Sequence, residues 1–297
     1  MITEDNIAKV VELFKARQVN LYHACQLQDF EAYLNIGGIP SRNRLENSKK
    51  EFTAFTTDEV DRENGVWDKV FVNLADFGRT FANGGGATPN TYGPILLIIN
   101  PVALTEAKDV SITLRSAGAR DFNRAKESLS SIEEIDRLFV NPVGSSSLGI
   151  TFVKFKEALQ KDFNFPLASN PEINCSFSEE FLSLNYVQSV VVDPYNFDGD
   201  LLLNLVAGLM KFQDFHRDLR RRYCKCYPRV ALYNEILGVL IEGVPSFLQM
   251  LASDKTSEDM KNWITQMQGF NLEYQFSRFA TYLREGTIFP ALSMINC

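Results

Sequence analysis

Histidine, tryptophan and cysteine are scarce: two, two and five in 297 residues. The two histidines, His23 and His216, exclude a multi-histidine metal centre and any mechanism that needs two imidazoles close in sequence. The cysteines are odd in number and form no paired CxxC sets. That argues against a zinc ribbon and a disulfide scaffold and fits a reduced cytosol. No apolar run reaches the ~18 residues of a membrane span. The longest, 201–210, is broken by Asn204 and Gly208. The opening Met-Ile-Thr-Glu-Asp-Asn puts acids ahead of any apolar stretch, unlike a secretory signal. The expectation is a cytoplasmic protein with no membrane partner and no metal. Basic charge is also in deficit, 30 Lys+Arg against 37 Asp+Glu, so bulk charge alone would not coat nucleic acid.

What is present is an ordinary globular balance, 45% hydrophobic and 23% charged. The length corresponds to about two domains. Residues 1–200 hold 19 basic and 28 acidic side chains, and residues 201–297 hold 11 and 9. This shift puts a boundary in the turn-rich stretch 193–200, giving domains 1–196 and 197–297.

The first part reads as α+β. Apolar spacing predicts helices over 4–17, 27–36, 122–138 and 153–159. Strands are expected over 52–56, 69–74, 95–99, 172–177 and 187–192. The elements do not alternate regularly, which argues against a doubly wound parallel sheet. The last hundred residues read as helices only, over 201–222, 230–241, 257–267 and 272–283.

Five segments could carry chemistry. The glycine-rich run 81–90 lacks the GK[ST] ending of a phosphate cradle and reads as a surface loop. Tyr22-His23-Ala24 opens a strand, where His23 is either a satisfied structural residue or a donor to a ligand hydroxyl. Gly37-Gly38-Ile39-Pro40-Ser41-Arg42-Asn43-Arg44 is either a helix stop with solvated charges or an anion-contacting loop. Glu172 starts a strand and says little by itself. The run 215–229 places six Lys/Arg beside Tyr223 and Tyr227. It is either a helix end satisfying the dipole or a patch that neutralises phosphates and stacks bases, with Arg220, Arg221 and Arg222 at its centre.

Read in order over about residues 20–195, these segments resemble the DarT family of ADP-ribosyltransferases. The matching pieces are Leu21-Tyr22-His23, the helix ending at Gly37-Gly38, and Ser41-Arg42-Asn43-Arg44-Leu45. They continue with Val66 to Val72, Tyr92-Gly93-Pro94-Ile95-Leu96, the stretch Ala117 to Arg137, and Glu172-Ile173-Asn174-Cys175 before Leu184-Asn185-Tyr186-Val187. The resemblance implies a split β-sandwich around an NAD cleft, with a C-terminal all-α appendage outside it. It implies NAD as co-substrate and a base in single-stranded DNA or RNA as acceptor. It further implies a toxin role with an antitoxin partner in a toxin–antitoxin or phage-defence system.

By the same resemblance, Glu172 is catalytic, His23 contacts the NAD ribose, and Ala24 holds the nicotinamide amide through its backbone. Tyr22 and Ser41 complete the cofactor-binding set. Arg62 is the best match to the family's essential arginine, and Arg79 is a poorer one. Arg42 and Arg44 join the 220–222 arginines as nucleic-acid contacts. Asp29 stands where the family often has asparagine, and residues 71–79 replace its proline-containing run. Two other readings stay open: the same transfer to a protein side chain, and a degenerate module that senses NAD or nucleic acid.

Overall fold

The computed structural model describes residues 2, 4–48, 52, 58–74, 76, 93–119, 121–139, 171–193, 196–197 and 200–222. The chain divides into two units. One comprises 1–23, 29–76 and 97–190, and the other 24–28, 77–96 and 191–297. The glycine-rich run 81–90, Arg79, the helices expected at 153–159, 230–241, 257–267 and 272–283, and nearly all of the strand expected at 52–56 lie outside the described residues.

In the first unit, α1 (Glu4–Ala16) turns Ile7, Val10, Val11 and Phe14 inward, and all four are buried. Phe14 meets Phe139 edge-on with ring centroids 6.0 Å apart. Full burial of a side chain this size contributes about 1.5–3 kcal/mol. Arg17, just past α1, ties back to Asp136 through a 2.7 Å ion pair.

The strands are β1 (Leu21–Cys25), β2 (Gly38–Pro40), β3 (Val70–Asn73), β4 (Ile95–Ile99), β5 (Ala107–Thr113), β6 (Ser128–Leu129), β7 (Glu172–Phe177), β8 (Phe181–Ser183) and β9 (Val187–Val192). Within the main sheet the strand order includes the run β9-β4-β1-β3-β7-β5-β6. The antiparallel ladders β3–β7 and β7–β5 are continuous, with one irregularity near Asp109. The β1–β3 junction has a single register pair, Tyr22↔Asn73. One face of β3, β7 and β5 is apolar, with Val70, Val72, Ile173, Cys175, Val110 and Ile112 all buried. Alternation sends Asn73, Glu172, Asn174, Ser176, Ser111 and Thr113 to the other face.

Helices α2 (Leu27–Ile36), α3 (Arg42–Asn47), α4 (Asp58–Glu63), α5 (Arg124–Glu127) and α6 (Ile132–Asp136) complete the described part. The α+β expectation holds. The single helix expected over 122–138 is corrected: it is two short helices, α5 and α6, with β6 between them. Serines decide this. Ser131 caps α6 in a capping box with Glu134, starting a new helix where a continuous one would need an uncapped interior.

In the second unit, α7 (Leu202–Phe212) follows a short hairpin of β10 (Asn196–Phe197) and β11 (Asp200–Leu201). Leu202, Val206 and Met210 are its buried face. The helix expected to run to residue 222 instead stops at Phe212. Asp214 adopts a left-handed backbone, φ +53°, and β12 (Asp218–Arg221) follows. Helices alone after residue 200 are therefore corrected within the described residues by β11 and β12. No helix among the described residues is long and apolar enough to cross a membrane.

Candidate active site

Glu172 begins β7. Asn73 stands opposite it on β3, and Thr113 stands opposite it on β5. Asn73 also stands opposite Tyr22, so Tyr22, Asn73 and Glu172 form one row across three strands. Two strand spacings separate the backbones of the outer pair, about 10 Å.

The Glu172 carboxyl is held from above by a turn. Its Oε1 accepts from the Ala117 amide at 3.0 Å. The turn is fixed in its own right, because Asn64 Nδ2 donates to the carbonyls of Ala117 at 2.7 Å and Ala119 at 3.1 Å. Asp61, one helical turn before Asn64, packs against Gly118 so closely that a Cβ there would meet its Oδ1. Burial pushes the Glu172 carboxyl up to about 7, and the charge of Asp61 adds to the rise. Bonds from Ala117 and Ser116 pull the other way without overcoming it. Near neutral pH this group therefore exists in both protonation states.

His23 stands next to Tyr22. Beyond the Tyr22↔Asn73 pair, its Nδ1 lies 2.7 Å from the Phe71 carbonyl, and its Nε2 lies 3.1 Å from the Tyr33 hydroxyl. A carbonyl only accepts, so Nδ1 carries a proton and donates to it. Burial depresses the imidazole pKa and keeps the ring neutral, against the opposing pull of the Phe71 bond. With one ring nitrogen protonated, Nε2 accepts from Tyr33. Ala24 is the next residue of β1.

Gly37, with φ +80°, turns the chain out of α2. Gly38 then pairs with Ser183, and a Cβ at 38 would enter the Phe181 ring. The residues that follow are used locally. Ser41 is fully buried as the N-cap of α3, accepting from the Arg44 amide at 3.0 Å. Asn43 donates to the Glu180 carboxylate at 3.2 Å. Arg42 stacks on Phe52 at 4.7 Å, and Arg44 lies 5.9 Å from Phe181.

Arg62, on α4, makes two bonds to Glu46, at 2.9 and 3.0 Å, and lies 3.6 Å over the Trp67 ring. Both partners of the ion pair are about half exposed, so solvent can compete for the guanidinium.

In the second unit, Arg220 and Arg221 are exposed on β12. Arg222 is turned inward: only 8% exposed, it donates through Nε to Asp193 at 2.5 Å, and its own amide bonds the Val192 carbonyl. It is a buried pairing residue, which corrects its expected place in a solvent-facing basic patch. Tyr223, Tyr227 and the cysteines at 224 and 226 lie outside the described residues.

Asp61 and Asn174 do not stand out in the sequence as functional residues. Asp61 sits in an unremarkable acidic helix. Asn174, two positions beyond Glu172 on the same face, is 1% exposed, and neither of its amide atoms has a hydrogen-bond partner among the described residues. The polar alternation Glu172, Asn174, Ser176 along β7 could have flagged it.

No protein-family model and no curated protein matches this chain. Two solved structures of DarT from Thermus sp. 2.9 are similar to it. The one in complex with NAD+ is 11% identical, covering 68% of this chain and 94% of that one, with a TM-score of 0.39. The one in complex with ADP-ribosylated ssDNA is 11% identical, covering 68% and 93%, with a TM-score of 0.40.

Proposed function

We propose that this protein is an NAD-dependent ADP-ribosyltransferase acting on a nucleobase of single-stranded DNA or RNA. The observation that carries the reading is Glu172: a desolvated carboxyl with its pKa near 7, in one row with Tyr22, at the positions the family resemblance marks. NAD enters as co-substrate through that resemblance.

The chemistry asks for such a group. The C–N bond between nicotinamide and ribose breaks, and nicotinamide leaves with the electron pair. The ribose carbon gains oxocarbenium character, which a nearby carboxylate stabilises. The acceptor base attacks that carbon and gives up a proton to Glu172. A base near pH 7 is suited to both tasks at neutral pH, and the electrostatic part alone is worth about 100–1,000-fold in rate. The neutral His23 spends Nδ1 on Phe71 and Nε2 on Tyr33, so it meets a ribose hydroxyl by exchanging the Tyr33 bond at Nε2. Arg62 positions the nucleotide after exchanging its contact with Glu46 for phosphate. Arg42, Arg44, Arg220 and Arg221 are the candidate contacts to the acceptor strand. On this reading residues 1–196 form the catalytic domain and residues 197–297 a separate module. The protein acts as a cytoplasmic toxin of a toxin–antitoxin or phage-defence system, restrained by an antitoxin.

The test is incubation of the full chain with adenylate-labelled NAD+ and single-stranded DNA or RNA oligonucleotides. Label on an oligonucleotide, lost with Glu172→Gln, is the expected result. Label on protein alone would shift the acceptor to a side chain. Label on neither would remove the transferase reading.

A further inference from the structure

Helix α4 ends in a way that fixes the residue after it. The Val66 amide bonds the Asp61 carbonyl at 2.9 Å, and the Gly65 amide bonds the Arg62 carbonyl at 3.1 Å, with Gly65 at φ +65°. This pair of bonds around a left-handed glycine is a Schellman ending, and it leaves Asn64 as the last residue before the chain reverses. The Asn64 amide still bonds the Val60 carbonyl at 2.9 Å, and the Asn64 carbonyl accepts from Arg124 at 2.9 Å. Its backbone is therefore anchored on both sides, and its side chain has a defined origin.

That side chain reaches a distant part of the sequence. Asn64 Nδ2 bridges the carbonyls of Ala117 and Ala119, 53 and 55 positions later, at 2.7 and 3.1 Å. Asp61, three positions before Asn64 and so on the same side of the helix, closes on Gly118 between them. Ala117 is only 1% exposed. It is pinned at its carbonyl by Asn64, and its amide donates to Glu172 Oε1 at 3.0 Å.

Glu172 needs such a hold. As the first residue of β7 it is fixed by the ladder only at its backbone, and its carboxyl depends on partners outside the sheet. The relay runs from the end of α4, through Asn64, to Ala117 and then to the carboxyl oxygen. Arg62 lies two positions before Asn64, so one short helix carries both the arginine and the residue that sets this relay.

We propose that Asn64 is a positioning residue for Glu172, holding the Ala117 amide on the carboxyl oxygen. Its service to the transfer reaction rests on the transferase reading, whereas the relay itself does not. Misplacing a reacting group by about 1 Å can cost up to about 100-fold in rate, so a side chain that touches no substrate can still govern turnover.

The experiment follows the Ala117 amide by NMR in the full chain, with alanine-selective nitrogen-15 labelling, between pH 5 and 9 and without NAD+. The signal is assigned by its loss in Ala117→Ser. An amide proton bonded to a carboxyl shifts as that carboxyl ionises, because the charged bond is the stronger one. Wild type should show a step centred near pH 7, and Glu172→Gln should abolish it. Asn64→Ala should halve the step or more. Asn64→Asp, which keeps the size and loses the donor, should do the same and decides the matter if Asn64→Ala does not fold. Asn35→Ala removes an exposed amide-to-carbonyl bond on α2 and should leave the step unchanged. In NAD+ consumption, the Asn64 variants should lower kcat about tenfold with KM within about twofold. A step that survives Glu172→Gln, Asn64 variants whose step matches wild type, or an unchanged kcat in a chain that consumes NAD+ would overturn the assignment. A wild-type chain that consumes no NAD+ would remove the transferase reading instead, and the amide step would still decide whether Asn64 positions Glu172.

Discussion

The Ala117 amide points at Glu172, donating to its Oε1 at 3.0 Å, and yet the carboxyl stays near pH 7 rather than falling to the usual carboxylate range. The bonds from Ala117 and Ser116 are outweighed by loss of water and by the neighbouring Asp61 charge. Folding therefore favours the protonated acid.

That preference fixes a sign. The folded pKa is above the unfolded one, so Glu172 adds stability below about pH 4.5, and the benefit is lost as pH rises towards 7. The loss should be about 3 kcal/mol. Urea unfolding of wild type and Glu172→Gln between pH 4 and 8 should give curves that diverge over this window, with the variant relatively more stable at the alkaline end. Parallel curves would show that the carboxyl titrates as a solvated one.

Arg62 separates positioning from stability. Its ion pair and ring contact are half exposed and worth at most about 1 kcal/mol. Arg62→Ala should leave the melting temperature within a few degrees of wild type while lowering NAD+ consumption strongly. A variant that turns over NAD+ normally would exclude Arg62 from the reaction.

Arg222 should behave in the opposite way. Its pairing with Asp193 is buried on both sides, 8% and 3% exposed. Removing one partner leaves a buried charge, so Arg222→Ala should cost roughly 3–5 kcal/mol in chemical denaturation. Arg220→Ala and Arg221→Ala, both exposed, should change stability little. On the proposed function, either substitution should reduce the salt dependence of oligonucleotide binding.

Two glycines make a contrasting pair. Gly37 has φ +80° with open space around it, so Gly37→Ala should cost only about 1 kcal/mol. Gly93 has φ +141°, and an added Cβ would lie 2.1 Å from the Cys25 carbonyl carbon. Gly93→Ala should unfold that part of the chain or lower expression severely. Similar melting curves for the two variants would contradict the close approach of Gly93 to Cys25.

The elements that were legible in the sequence are those with strong local signals. The spacing of Ile7, Val10, Val11 and Phe14 marks α1, and the apolar runs at 95–99 and 187–192 mark β4 and β9. The stretch 122–138 misled because its charge and apolar spacing suit a helix while the decisive signal, serine capping at Ser131, is short. The strand at 218–221 was hidden because Arg220 and Arg221 suit a helix end as well as a sheet edge. At the site, Glu172 and Tyr22 could be marked one by one. Their common row could not, because it depends on Asn73, which carries no signal until β3 is paired on both sides. The local duties of Ser41 and Asn43 were equally invisible, since a capping serine and a phosphate-binding serine have the same spelling.

The guanidinium of Arg62 resting 3.6 Å from the Trp67 indole, whose N–H also bonds Glu46, gives the molecule an optical reporter. Only one other tryptophan, Trp263, shares the emission. Any solute that draws Arg62 away changes the polarity over that ring, so quenching or a spectral shift at Trp67 would register its arrival without a label.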